Sequence, residues 1–221
     1  MGERRSGVLY LVGTPIGNLG DMSPRGLEVL RDADLVAAED TRHTLELLNH
    51  FELKKRLVRY DEHTKEQQGS FLLQELLGGR SVALVSDAGL PGIADPGADL
   101  AERCIAVGVQ VIPVPGPNAA LTALIASGLP TQPFFFGGFL PKSGRNRREQ
   151  LQAWRCLPAT VVLYEAPHRI REVLQDVYEQ WGERPVCLAR ELTKLHEDFW
   201  RGNLSGALAH LGPRSRSGGS L

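Results

Sequence analysis

Two adjacent carboxylates, an arginine and a histidine fall within five residues at Glu39-Asp40-Thr41-Arg42-His43. Such a set can orient a hydroxyl or take its proton, because a carboxylate accepts the hydrogen bond while a nearby cation fixes the geometry. The same residues also suit a helix N-terminus, where the helix dipole favours acidic side chains. Glu165-Ala166-Pro167-His168-Arg169 and Arg190-Glu191-Leu192-Thr193-Lys194 repeat the theme, each placing a carboxylate beside cationic or hydroxyl groups. Each either handles a substrate hydroxyl or forms a structural ion pair. A basic stretch, Lys142-Ser143-Gly144-Arg145-Asn146-Arg147-Arg148, stands out from a chain whose formal net charge is -1. Clustered cations on a glycine-containing loop suit phosphate oxygens, and a solvated helix face is the other reading.

Three Gly/Pro loops follow apolar runs: Thr14-Pro15-Ile16-Gly17-Asn18, Asp87-Ala88-Gly89-Leu90-Pro91 and Pro115-Gly116-Pro117-Asn118. Glycine and proline shape the main chain so that a ligand can approach backbone N–H and C=O groups closely. Neither a G-x-G-x-x-G fingerprint nor a Walker motif occurs, so phosphate cradling is not supported and a neutral or cationic adenosine-like guest fits better.

These groups need a frame. Val8–Val12, Leu35–Ala38, Leu57–Tyr60, Val82–Val85 and Val109–Val114 read as strands without polar alternation. The segments between them read as helices, starting at Ser23-Pro24, Thr41, Gln67 and Ala98. Continuous apolar strands alternating with helices indicate a parallel sheet covered on both faces, and ligands bind such sheets beyond the carboxyl ends of the strands. All three loops fall at that edge. The second half carries helices at Asn118–Ser127, Arg145–Trp154, Ile170–Trp181 and Leu204–His210, and strands at Phe134–Phe136, Thr160–Tyr164, Val186–Ala189 and Phe199–Gly202. The expected fold class is therefore α/β in two domains. Residues 1–115 form a mainly parallel sheet with helices on both faces, and residues 116–212 form a mixed-sheet α/β domain. Residues 213–221, rich in Arg, Ser and Gly, are expected as a disordered tail.

Composition limits the alternatives. At 221 residues and 42% hydrophobic, the chain can bury its cores without disulfides or metal. Cys104, Cys156 and Cys187 are widely spaced, which argues against a disulfide framework and a zinc site and fits a cytoplasmic location. The histidines show no metal spacing, and no apolar run approaches membrane-spanning length, so neither metal nor membrane is expected. With a near-neutral whole, nucleic-acid contact must come from a local basic patch.

Several blocks together resemble the ribosomal RNA small subunit methyltransferase I family of the tetrapyrrole methylase superfamily. They are Leu9–Leu19, Glu39–Thr44, Ala83–Gly89, Pro113–Pro117, Tyr164–Arg169 and Arg190–Lys194, and the resemblance runs from about residue 8 to residue 208. It implies the two-domain tetrapyrrole-methylase-like fold, S-adenosylmethionine in the cleft between the domains, and a homodimer. The implied reaction is methylation of the ribose 2′-oxygen of a cytidine in the decoding region of 16S ribosomal RNA, with that RNA or the small ribosomal subunit as partner. From their place at the carboxyl edge, with this cofactor in mind, Pro15, Ser86, Asp87, Ala88, Gly89, Pro115, Gly116, Tyr164 and Leu192 are expected at the cofactor. Glu39, Asp40, Arg42, Glu165, His168, Glu191 and Lys194 are expected in catalysis, and Lys142, Arg145, Arg147, Arg148 and Arg169 on RNA. Leu90 and Ala94 stand where the family carries hydroxyl residues, and after the last helix Arg, Ser and Gly replace an apolar strand; the C-terminal sheet is expected to lack that strand, or the chain to be a shortened form. A corrin-type small-molecule methyltransferase and a non-catalytic nucleotide- or RNA-binding relative are the alternatives.

Overall fold

The apolar run Val8–Val12 forms strand β1 and stops at Gly13. The computed structural model describes residues 7–212; residues 1–6 and the expected tail at 213–221 lie outside the described residues. After β1 come α1 (Pro24–Asp32), β2 (Leu35–Ala38), α2 (Thr41–His50), β3 (Leu57–Arg59), α3 (Lys65–Leu77), β4 (Val82–Val85), α4 (Gly97–Ala106) and β5 (Gln110–Val114). Helix α1 starts as its sequence dictates: the Ser23 side chain accepts a hydrogen bond from the Gly26 N–H, and Pro24 occupies the first turn.

The five strands make one parallel sheet in the order β3-β2-β4-β1-β5. Alternation along each strand divides its apolar residues between two cores. Leu35, Ala37, Val82 and Leu84 pack with Leu72 and Leu76 of α3 and Leu100 and Cys104 of α4. Val36, Ala38, Ala83 and Val85 pack with Leu30 of α1 and Leu48 of α2. The helices after β1 and β2 thus cover one face, and those after β3 and β4 the other. Because β1 and β4 are neighbours whose following helices go to opposite faces, their loops diverge and open a crevice at the carboxyl edge.

The chain divides into two compact units, residues up to Ala119 and residues from Ala120 onward. The second begins within α5 (Ala119–Ala126) and continues through β6 (Phe134–Phe139), α6 (Gly144–Trp154), β7 (Thr160–Tyr164), α7 (Ile170–Trp181), β8 (Pro185–Arg190), β9 (Asp198–Asn203) and α8 (Leu204–His210). β6 pairs with β7 in parallel, and β8 pairs with β9 antiparallel, as two separate two-stranded sheets. Strand β6 runs on past the expected Phe136 because its register shifts between Phe136 and Gly138, where Gly138 takes a positive φ of 60°. Leu140, Leu151, Val173, Leu174, Val177, Leu204 and Ala207 form this unit's core.

Candidate functional site

The three Gly/Pro loops interlock within the N-terminal unit. The Thr14 N–H donates to the Gly89 carbonyl at 2.9 Å and the Gly89 N–H donates to the Thr14 carbonyl at 3.1 Å. The buried Thr14 hydroxyl reaches the Ser86 carbonyl at 3.2 Å. The first and third loops touch main chain to main chain: a Cβ on Gly116 would lie 2.8 Å from the Gly13 carbonyl carbon. Gly89, with φ of 85°, lies under Ile16 of the first loop and the Pro117 carbonyl of the third. A Cβ at 13 or 116 would force the loops apart, and the positive φ at 89 favours glycine there. Pro15, Ser86, Asp87, Ala88, Gly89, Pro115 and Gly116 are therefore gathered on one ridge, with Asp87, Ala88 and Pro115 exposed along it.

The ridge is acidic. The Asp40 N–H donates to Asp87 Oδ1 at 3.0 Å, tying the loop after β2 to the loop after β4. Asp95 Oδ1 accepts the Gly92 and Gly97 N–H groups at 2.8 and 2.7 Å and so shapes the loop leading to α4. Burial pushes the Asp95 carboxyl above the usual carboxylate range. Burial also raises the Glu39 carboxyl, helped by the negative charges of Asp87, Asp95, Asp61 and Asp40. Glu39, Asp40, Arg42, Asp61 and His63 line a cavity of about 600 Å³ at this edge. Its two arginines are already paired, Arg42 with Asp40 at 2.7 Å and Arg59 with Asp61. Asp40 is the N-cap of α2 and accepts the Arg42 N–H at 2.9 Å, and the Arg42 guanidinium holds its carboxyl far below the usual range. The helix cap accounts for the contacts between Asp40 and Arg42, while the Asp40 N–H reaches across to Asp87.

In the C-terminal unit the assigned residues follow β7 and β8. The Tyr164 hydroxyl accepts the Ala120 N–H at 3.3 Å, and burial pushes its pKa above the usual phenol value. Glu165 has a side chain only 4% exposed; its Oε1 accepts the Ala166 N–H at 2.8 Å and faces Arg169 at 3.4 Å. His168 is exposed. After β8, Glu191 and Lys194 pair at 3.3 Å within one turn. Glu191 and Thr193, on either side of Leu192, adopt positive φ values of 53° and 66°. Non-glycine residues held there store strain, which concentrates at ligand sites.

Two of the five RNA assignments need correction. Arg147 is 1% exposed: its Nε donates to Asp176 and its Nη2 to Glu172, both at 2.6 Å. It shares the buried face of α6 with Leu151, one turn on, and cannot reach a phosphate. Arg169 is mostly buried and donates to the Leu140 and Pro141 carbonyls at 3.3 and 3.1 Å, so it braces the loop before α6. Lys142, Arg145 and Arg148 are exposed. Sequence reading overlooked Asp95, although Asp-Pro-Gly before a helix is a recognisable turn signal. Thr14 was named only as part of the first loop, because its hydroxyl gains meaning only when its strand lies beside β4.

The tetrapyrrole (corrin/porphyrin) methylases match residues 8–207. Over 202 residues the chain is 52% identical to ribosomal RNA small subunit methyltransferase I of Halalkalibacterium halodurans, covering 91% of this chain and 70% of that one. This chain belongs to the ribosomal RNA small subunit methyltransferase I family of tetrapyrrole methylases. The same-named protein of Thermotoga maritima is 46% identical, with 92% of this chain and 91% of that protein covered. Among solved structures, uroporphyrin-III C-methyltransferase of Thermus thermophilus, complexed with S-adenosyl homocysteine, aligns with a TM-score of 0.62 at 18% identity, covering 95% and 89% of the two chains. That likeness is one of fold. As a member of this methyltransferase family the chain is an enzyme. Among the described residues no group of three or more His, Cys, Asp or Glu is arranged to hold a metal ion, and no helix is long and apolar enough to cross a membrane.

Proposed function

We propose that this chain transfers the methyl group of S-adenosylmethionine to the ribose 2′-oxygen of a cytidine in the decoding region of 16S ribosomal RNA, acting in the cytoplasm as a homodimer. The observation that carries the reading is the interlocked, acidic ridge at the carboxyl edge of the parallel sheet. Its main chain is open to a ligand at Ala88 and Pro115, and its surplus charge is negative. A phosphate-bearing guest would meet Asp87 and Glu39 there, whereas a sulfonium would meet compensating charge. The names of the relatives supply the RNA substrate, and the bound homocysteine derivative of the Thermus thermophilus protein supports the cofactor.

When bound, S-adenosylmethionine supplies a methyl already activated by its positive sulfur. The chain's work is mostly positioning, which turns a slow encounter into a local one. The Pro15, Ser86–Gly89 and Pro115–Gly116 backbone holds the cofactor, and we assign Tyr164 and Leu192 to it as well. Glu39 is the carboxylate best suited to take up a proton, because burial and its acidic neighbours raise its affinity for one. His168, Glu191 and Lys194 orient the ribose, and Lys142, Arg145 and Arg148 hold phosphates.

Calorimetric titration with S-adenosyl homocysteine, on protein shown to be folded, tests the cofactor half. Labelled S-adenosylmethionine incubated with small ribosomal subunits, free 16S ribosomal RNA and a tetrapyrrole extract tests the rest. Label on a ribose is expected. Label on a pigment would make the chain a small-molecule methyltransferase, and no label with any substrate would leave a binding protein.

A further inference from the structure

A second run of cations, Lys54-Lys55-Arg56-Leu57-Val58-Arg59, leads into β3, far in sequence from the loop at 142–148. Among the described residues β3 is the outermost strand on its side of the parallel sheet. The Arg56 carbonyl accepts the Val36 N–H at 3.0 Å, and the Tyr60 N–H donates to the Ala38 carbonyl at 2.8 Å. Main-chain groups alternate along a strand, so the Leu57 N–H and C=O face away from β2.

That outer side opens on a groove of about 430 Å³ between β3 and α3. Arg56, Leu57 and Arg59 line it from the strand, and Gln67, Gln68 and Phe71 from the helix. Arg56 is exposed, and its guanidinium carbon lies 5.7 Å from the centre of the Phe71 ring. Among the described residues it has no acidic partner, and the Gln67 and Gln68 side-chain amides make no hydrogen bond. Each amide thus offers a free donor and a free acceptor. Arg59, with 63% of its side chain exposed, also lines the acidic cavity that holds Glu39 and Asp40. The groove and that cavity therefore share a rim, both within the N-terminal unit.

A planar cation on an aromatic ring, free amides and an outward main-chain N–H and C=O match what an unpaired base presents. Its face needs a stacking surface, and its edge needs donors beside acceptors. Lys54 and Arg56 supply charge for the phosphates on either side. Cations on an outermost strand also deter pairing with a foreign strand. That role needs neither the Arg56–Phe71 contact nor the two amides.

We propose that the groove between β3 and α3 is a subsite for an unpaired nucleotide of the RNA substrate, one that flanks the methylated nucleotide. It rests on the reading of the acidic ridge as the place of methyl transfer to RNA. The base stacks on Arg56, its edge is read by Gln67, Gln68 and the Leu57 main chain, and the backbone crosses at Arg59. The subsite selects sequence and register and takes no part in the chemistry.

The test uses the full chain with small ribosomal subunits and labelled S-adenosylmethionine. Arg56→Ala and the pair Gln67→Ala with Gln68→Ala are each expected to weaken subunit binding about tenfold and to raise KM alike. The kcat and S-adenosyl homocysteine binding should stay as they are. Arg56→Lys keeps the charge and loses the plane, so it should keep the salt slope without recovering the affinity. With 4-thiouridine placed in turn at positions around the methylated nucleotide, crosslinks to residues 56–71 are expected from one or two flanking positions. Full affinity in Arg56→Lys would reduce the site to a point charge and overturn the proposal. So would crosslinks confined to residues 142–148. Ribose methylation with unchanged KM in all three variants would overturn the subsite and leave the ridge standing, whereas no RNA methylation by the unaltered chain would overturn both. Slowed hydrogen exchange at residues 57–59 that grows with protein concentration, without RNA, would overturn it in favour of a second copy.

Discussion

Arg147 Nε donates to Asp176 Oδ2 at 2.6 Å in the interior of the C-terminal unit, where the two side chains are 1% and 8% exposed. Removing one member of a buried ion pair strands the other, at a cost of about 3–5 kcal/mol. Arg147→Ala is therefore expected to lower the melting temperature of the protein by roughly 10 °C. Arg147→Met with Asp176→Leu, which removes both charges and keeps volume, is expected to recover more than half of that loss. Scanning calorimetry of the three proteins decides the matter; equal losses in single and double variants would mean that the pair is not what holds α6 to α7.

The exposed cations nearby behave differently. Arg145 pairs with Glu149 at 2.9 Å on the open surface, and Arg148 meets Asp176 at 3.4 Å. Replacing Lys142, Arg145 and Arg148 by Ala is expected to leave melting within about 2 °C, as surface pairs contribute little. Affinity for 16S ribosomal RNA is expected to fall, and the slope of log affinity against log salt to flatten by roughly 2 to 3. S-adenosyl homocysteine binding should not change. An unaltered salt slope would reduce the patch to a solvated helix face.

Strands β1 and β4 were legible because each is a short apolar run closed by Gly13 or by Ser86-Asp87, and the both-faces arrangement followed from their lack of alternation. Arg147 was misread although its signal was present: it sits four residues before Leu151, while Glu172 and Asp176 are spaced by four on α7. One-sided helical spacing marks a buried face, and a cation there needs acids opposite, but which helix lies opposite is a tertiary fact. The meeting of Gly13 with Gly116 was illegible for the same reason, since it depends on β5 lying beside β1 rather than beside β4.

Gly116→Ala tests that meeting. The new Cβ would stand 2.8 Å from the Gly13 backbone, and no flexible side chain can move aside. Forcing the loops apart is expected to cost about 1–3 kcal/mol of stability and to weaken S-adenosyl homocysteine binding roughly tenfold or more. Gly108→Ala is the control: Gly108 has φ of 77° and open space around it. It is expected to lose about 1 kcal/mol from backbone strain alone with unchanged binding. If titration calorimetry finds wild-type affinity in folded Gly116→Ala, the loop contact does not form the cofactor wall.

Glu39 contributes to the pH dependence of stability. Burial and the surrounding Asp87, Asp95, Asp61 and Asp40 raise its folded-state pKa above the unfolded value. The folded protein thus holds the Glu39 proton more tightly, so the stabilising contribution is fully present below the unfolded value and is lost as pH rises through the folded one. At neutral and higher pH the ionised group opposes folding. Glu39→Gln, which keeps the shape and removes the charge, is expected to raise the melting temperature at pH 8 by at most roughly 2 °C, the effect being limited by solvent screening of a part-exposed group. Near pH 4 the two proteins should melt alike. Methyl transfer should fall at every pH if Glu39 takes the ribose proton, because an amide cannot accept it. Thermal melts between pH 4 and pH 8, run beside single-turnover transfer from labelled S-adenosylmethionine, separate the two roles: a stability gain with undiminished transfer would leave Glu39 as part of the acidic ridge and move the base elsewhere.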